Sequence, residues 1–140
     1  MTMEFRVTGF AELRQSLEQL NSVSRSQNAL KRAMFKAIEP TADLTRAFVP
    51  VRTGNLKRSI TVSDKLKGRA KEADVVSVFL GTSYQKGARG RHGHLVEFGT
   101  VKARPHPFLR PAWDQDGRAL LARLSDEMRR EIERAVKRKV

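Results

Sequence analysis

Asp74-Val75-Val76-Ser77-Val78-Phe79-Leu80-Gly81 is the stretch on which the fold turns. An extended chain alternates its side chains, so Val76, Val78 and Leu80 share one face and Val75, Ser77 and Phe79 the other. This is the strongest strand pattern in the chain, and it predicts the centre of an antiparallel sheet. Toward the N-terminus, Ser59 to Leu66 reads as a second strand with Ile60 and Val62 on one face. Between the two strands, Lys65, Lys67, Arg69 and Lys71 surround Gly68, a hairpin tip too charged to bury. Toward the C-terminus, Tyr84 to Gly93 is a loop with three glycines, and Leu95 to Thr100 reads as a further strand of the hairpin series. Met3, Phe5 and Val7 alternate with Glu4, Arg6 and Thr8, which adds a half-buried strand ending at Gly9.

Helical spacing fills the remainder. Leu13, Leu17 and Leu20 fall on one face of a short helix, ended by Asn21-Ser22-Val23-Ser24. A second helix is expected from near Ser26 or Asn28, burying Leu30, Ala33, Met34, Ala37, Ile38, Leu44 and Ala47. Pro40 lacks an amide donor and crowds the preceding turn, so a kink or a restart at Thr41 is expected there. Thr53-Gly54-Asn55 reads as a turn, because Gly and Asn tolerate positive φ. Pro105, Pro107 and Pro111 predict an extended run. Asp114 or Asp116 is expected to cap the last helix, whose buried stripe is Leu120, Leu124, Met128, Ile132 and Val136. Lys137-Arg138-Lys139 places positive charge at its C-terminus, where the helix dipole favours it. The expectation is one domain spanning 1–140, of α+β class. It has an antiparallel sheet of about four strands, with N-terminal helices and a long C-terminal helix packed on it.

The chain has 140 residues and no cysteine, which excludes disulfides, zinc–thiolate sites and cysteine nucleophiles. No run approaches the roughly 18 apolar residues of a membrane span, and no membrane partner is expected. Met1-Thr2-Met3-Glu4-Phe5-Arg6 lacks the basic-then-apolar order of a signal peptide. Net charge is +13, and its placement is more telling than its size. From Arg46 to Arg110, 14 Lys and Arg stand against four acids, Asp64, Glu72, Asp74 and Glu97. A concentrated basic region favours polyanions, nucleic acid above all; a solvated surface or an acidic protein partner is the plainer reading. The basic tips, Lys65, Lys67, Arg69 and Lys71 with Lys86, Arg89 and Arg91, carry no interleaved aromatics. They fit contact with phosphate rather than reading of bases.

His92, His94, Glu97 and His106 form the one candidate metal or acid–base group. They lack the complete ligand set at tight spacing that a structural metal site shows, and no serine triad is suggested. No catalytic residue, metal or cofactor is therefore expected. Glu97 is the sole acid between Asp74 and Asp114 and should be ion-paired, within the subunit or across an interface, with Arg52, Arg58 and Arg104 as candidates. Phe98, Phe108, Leu109 and Trp113 are large apolar groups hemmed by prolines and turns, in a run that reads as a docking surface or as ordinary core.

Two segments stand out together: Val49-Pro50-Val51-Arg52-Thr53-Gly54-Asn55-Leu56-Lys57-Arg58-Ser59-Ile60, and Val96-Glu97-Phe98-Gly99-Thr100 followed by Pro107-Phe108-Leu109-Arg110-Pro111-Ala112. Their order and separation, behind a Gly9-Phe10-Ala11-Glu12-Leu13 helix opening and a long second helix, resemble the tail-completion, or head–tail joining, proteins of long-tailed bacteriophages. Pro40 and the long basic loop Gly87 to Gly93 depart from that pattern. The resemblance implies a non-enzymatic subunit of a phage neck ring, usually a hexamer, in the virion after assembly in the bacterial cytoplasm. Its partners would be further copies of itself, the head-connector or adaptor protein, the tail-tube protein, and double-stranded DNA held non-specifically in the channel. The subunit interface is then expected at Arg52, Thr53, Asn55, Leu56, Arg58, Glu97, Phe98, Phe108, Leu109 and Trp113. The DNA-facing residues would be Lys65, Lys67, Arg69, Lys71, Lys86, Arg89 and Arg91. A free-standing basic nucleic-acid-binding protein and a metal-dependent nuclease using the histidines are the competing classes.

Overall fold

Val76–Thr82 is the middle strand of a three-stranded antiparallel sheet in a computed structural model that describes residues 2–7, 23–65, 75–83 and 90–139. The elements run β1 (Thr2–Val7), α1 (Val23–Phe48), α2 (Asn55–Ser59), β2 (Ile60–Ser63), β3 (Val76–Thr82), α3 (Gly93–Phe98) and α4 (Leu109–Lys139). The sheet order is β1-β3-β2. Phe5 lies opposite Val78 and Met3 opposite Leu80; on the other side Val62 faces Leu80 and Ile60 faces Thr82. Directly paired residues project to the same face. Met3, Phe5, Ile60, Val62, Val76, Val78 and Leu80 therefore make one apolar surface, and both long helices pack on it.

That α+β arrangement, centred on β3, is the one the alternating pattern predicts, with one strand fewer among the described residues. The difference lies at Leu95 to Thr100, which is not a strand: Gly93–Phe98 is a short helix. Val96 is half-buried and its neighbour Glu97 buried. The Val96 N–H bonds the His92 carbonyl and the Gly99 N–H that of Leu95, the four-residue spacing of a helix and not the cross-strand pairing of a sheet. β2 begins at Ile60 rather than Ser59, because Asn55–Ser59 forms a helical turn ahead of it. The expected helix on Leu13, Leu17 and Leu20 lies outside the described residues.

α1 passes through Pro40 without interruption. Pro40 and Glu39 are exposed, so the carbonyl freed on that side of the helix faces water. On the opposite side Ala37, Ile38, Thr41 and Ala42 are fully buried, so both halves of the helix pack into the core. The buried stripe accordingly continues through Thr41, Ala42, Thr45 and Val49, not through the expected Ala47, which is exposed. Helical spacing persists where proline predicts a break.

α1 and α4 run antiparallel, as their polar contacts show: Arg32 meets Glu131, Ala37 meets Arg123 and Thr41 meets Asp116. From α4 the residues Leu120, Leu124 and Met128 enter the core. Ile132 is half-buried and Val136 exposed, so the expected stripe fades at its end. At 1.5 Å per residue α4 is roughly 46 Å long, about twice the span of the sheet's longest strand, and outruns it. α4 starts at Leu109, five residues before Asp114, so neither Asp114 nor Asp116 caps it. Pro111 is not in an extended run but in the first helical turn, where no intrahelical donor is required.

Candidate functional site

Glu97 supplies the missing cap. Its carboxylate accepts the backbone N–H of Phe108 (2.7 Å) and of Leu109 (3.1 Å) on Oε2, and that of Arg110 (3.1 Å) on Oε1. The first turn of a helix leaves its amides without partners. Here the carboxylate takes three of them, and Pro111 has none to offer. The residue is 3% exposed, and its negative charge sits at the positive end of a 31-residue helix. The expected ion pair with Arg52, Arg58 or Arg104 is absent within the subunit. The helix terminus neutralises Glu97 instead.

This contact closes a loop. Between Glu97 and Phe108 the chain leaves the body, turns, and returns. Gly99 ends α3 at φ 75°, and a Cβ there would lie 2.8 Å from the Pro105 nitrogen. Only glycine fits such a position without strain. Thr100 and Ala103 exchange backbone hydrogen bonds (2.9 and 3.3 Å), and the His106 amide donates to the Val96 carbonyl at 2.7 Å. Residues 100–107 are all exposed, yet their backbone is tied at three points. Val101 stands fully in solvent at the tip. Phe98 is 54% exposed, and the Arg110 guanidinium lies over its ring at 5.0 Å from the centroid.

The other segment is a turn of similar construction. Gly54 takes φ 77° ahead of α2, and Arg58 folds back to donate to Asn55 Oδ1 (2.7 Å) and the Thr53 carbonyl (3.4 Å). Arg52 and Thr53 are exposed, Asn55 and Leu56 half-buried. Backbone bonds tie the two segments to one end of the sheet: Ser83 N–H to the Ser59 carbonyl, Gly90 N–H to Ser83, and Gly93 N–H to Gly90. Antiparallel packing also brings the C-terminus of α1 level with the start of α4. Five of the seven large apolar side chains exposed among the described residues, Phe48, Val51, Leu95, Phe98 and Val101, belong to this end. Sequence reading singles out Phe98 alone of these. The available signal for Val51 and Val101 is a lone apolar residue among turn-forming neighbours.

The other expected interface residues lie deeper. Phe108 and Leu109 are fully buried in the subunit's own core. Trp113 is half-buried, edge-on to Phe5 with ring centroids 6.3 Å apart. Of the expected DNA-facing residues, Lys65 and Arg91 are exposed. Lys67, Arg69, Lys71, Lys86 and Arg89 lie outside the described residues. His92, His94 and His106 are exposed while Glu97 points inward, so the four do not converge. Among the described residues no group of three or more His, Asp and Glu side chains is placed to hold a metal.

Beneath this end the helix pair is pinned by a polar contact. Asp116 receives the Arg123 guanidinium on both oxygens and the Thr41 hydroxyl on Oδ2. Arg123 and then Thr41 hold the Asp116 carboxyl below the usual carboxylate range, against the opposing effect of burial. At the sheet edge Lys31 does the same for Asp64 across 2.9 Å. No described helix is long and apolar enough to cross a membrane.

A family profile described as "Bacteriophage HK97-gp10, putative tail-component" matches residues 11–99, well over half of the chain. The matched stretch takes in α1, the Val49–Ile60 segment, the sheet strands β2 and β3, and Glu97 with its short helix. No curated protein and no solved structure matches the chain. The chain belongs to the HK97-gp10-like family of bacteriophage tail components.

Proposed function

We propose that the chain is a non-enzymatic subunit of a phage neck ring, which joins the head connector to the tail tube around the DNA channel. As a tail component it is a structural part of the phage particle, whose work is contact with other phage proteins. The observation that carries the finer reading is the gathering of exposed apolar side chains at one end, around two rigid turns. A monomer gains nothing by leaving Val51, Phe98 and Val101 in water, whereas an apolar patch rimmed by charge suits a protein interface. A ring requires two unlike patches on each subunit, one meeting the other on the next copy. The exposed members of the expected interface, Arg52, Thr53, Arg58 and Phe98, lie on this end. Buried Phe108 and Leu109 support it from behind. The exposed cations Lys65 and Arg91 suit non-specific contact with DNA phosphates.

The test is sedimentation velocity and negative-stain electron microscopy of the full chain, alone and with connector and tail-tube proteins. Closed rings, or a ring-shaped density at the neck, are expected. A protein that stays monomeric alone and binds neither partner overturns the reading. Cleavage of DNA in the presence of Mg²⁺, Mn²⁺ or Zn²⁺, abolished in His94→Ala, overturns the non-enzymatic assignment.

A further inference from the structure

The basic loop and the outer face of α1 are chemically complementary. Among residues 98–107 there is no acid, while Lys102, Arg104 and His106 are exposed around the apolar tip of Val101. On the second half of α1, Glu39, Pro40, Asp43 and Ala47 form an exposed ridge at helical spacing, continued by Phe48. Glu39 and Asp43 are 56% and 69% exposed at the side chain, and one cation serves both: Arg46 Nη1 lies 3.4 Å from Glu39 and 2.8 Å from Asp43. Arg46 is committed elsewhere too, donating to the Ile60 carbonyl. The ridge therefore keeps unbalanced negative charge beside exposed apolar atoms, on a chain of net charge +13 where such a patch is uncommon.

From this complementarity we infer that the Phe98–Pro107 loop of one copy docks on the Glu39–Phe48 ridge of the next. The occupant is a second copy of this chain, with Val101 seated near Ala47 and Phe48, and Lys102 and Arg104 facing Asp43 and Glu39. Made in one direction only, this contact between unlike patches is head-to-tail and propagates from copy to copy until the rotation closes it, which a ladder rather than a closed dimer reports. Opposite charges placed this way also fix register and suppress wrong pairings between strongly basic subunits. The loop arrives already shaped by Glu97, Gly99 and the Thr100–Ala103 bonds, so docking demands little further ordering. The inference rests on the ring reading and names the two faces that would make the ring.

The absence of cysteine makes it testable without background. Val101→Cys and Ala47→Cys variants, both at exposed positions, are mixed and treated with a short bis-maleimide. The mixture is expected to give a crosslinked dimer that neither variant gives alone, and the chain carrying both substitutions a ladder. Arg104→Glu and Glu39→Arg should each weaken association about tenfold or more, and the combined variant should recover it. Far-UV circular dichroism checks that each variant folds. If the unaltered chain forms rings but no crosslink appears and the charge reversals leave assembly unchanged, this docking is wrong and the ring stands on other faces. If the unaltered chain forms no oligomer and binds neither connector nor tail-tube protein, and the doubly substituted chain gives no ladder, both readings fall. If Arg104→Glu lowers retention on duplex DNA and leaves the oligomer unchanged, the loop faces phosphate and the docking is overturned.

Discussion

Glu97 shows how an isolated carboxylate among arginines can be bound by none of them. Its three amide contacts are charge-assisted hydrogen bonds in a buried setting, each stronger than a neutral one. Glu97→Ala leaves three amides without an acceptor, and a charged hydrogen bond is worth roughly 1.5–3 kcal/mol. Urea denaturation should show a decrease of at least that size, with Glu97→Gln recovering only part of it because half of the amide group is a donor. Unchanged stability would mean the amides find water or that the helix starts later. Asp116 gives a prediction of the opposite kind, in pH. Its folded value lies below its unfolded one, so its contribution is complete above about 3.9 and fades as pH falls through the lower folded value. Asp116→Asn should be less stable than the unaltered chain at pH 7, with the gap narrowing toward pH 3. A constant gap would show that the difference comes from geometry and not from charge.

Pro40 is the place where α1 departs most from local preference. An interior proline costs about 3 kcal/mol relative to alanine, less what it removes from the freedom of the unfolded chain. Since the helix is continuous on both sides of it, Pro40→Ala should raise stability by up to about 3 kcal/mol, read from the urea midpoint at unchanged slope. A fall in stability would mean that the missing amide is part of the packing. The same helix shows what a sequence conveys. The 3.6-residue spacing through Ala33, Met34, Ala37 and Ile38 is plain, and so is the alternation of β3, because each period repeats often enough to outvote local exceptions. Six-residue α3 offers no such repetition. Val96 and Phe98 favour strands by type, and only Gly99 after the last turn hints at a helix with a glycine end. The capping role of Glu97 is not legible at all, since it depends on a distant helix start, at Leu109, within the run that Pro105, Pro107 and Pro111 mark as extended.

Charge governs the molecule as a whole. A net +13 disfavours association of like subunits and favours any polyanion, and salt screens both effects. If DNA passes the exposed cations, binding to duplex should be indifferent to sequence and should weaken steeply with salt. Replacing Lys65 or Arg91 by alanine should lower the log–log slope by about 0.9 for each phosphate no longer neutralised, measured by fluorescence titration over a salt series. An unaltered slope would put these side chains against protein. The exposed apolar end and the acidic ridge of α1 are hidden from pattern reading for a common reason. Both are defined by what a folded chain leaves uncovered, and periodicity reports only what it covers.

The tie between Glu97 and the start of α4 makes the loop and the longest helix one cooperative unit. The two ends of the loop cannot part without releasing the amides of Phe108, Leu109 and Arg110, and those amides cannot be released without fraying the helix. Their hydrogen–deuterium exchange is therefore a clock for the loop. It should run at the rate of helix opening while the loop is free, and slow further by the full strength of whatever contact comes to hold Val101 in place.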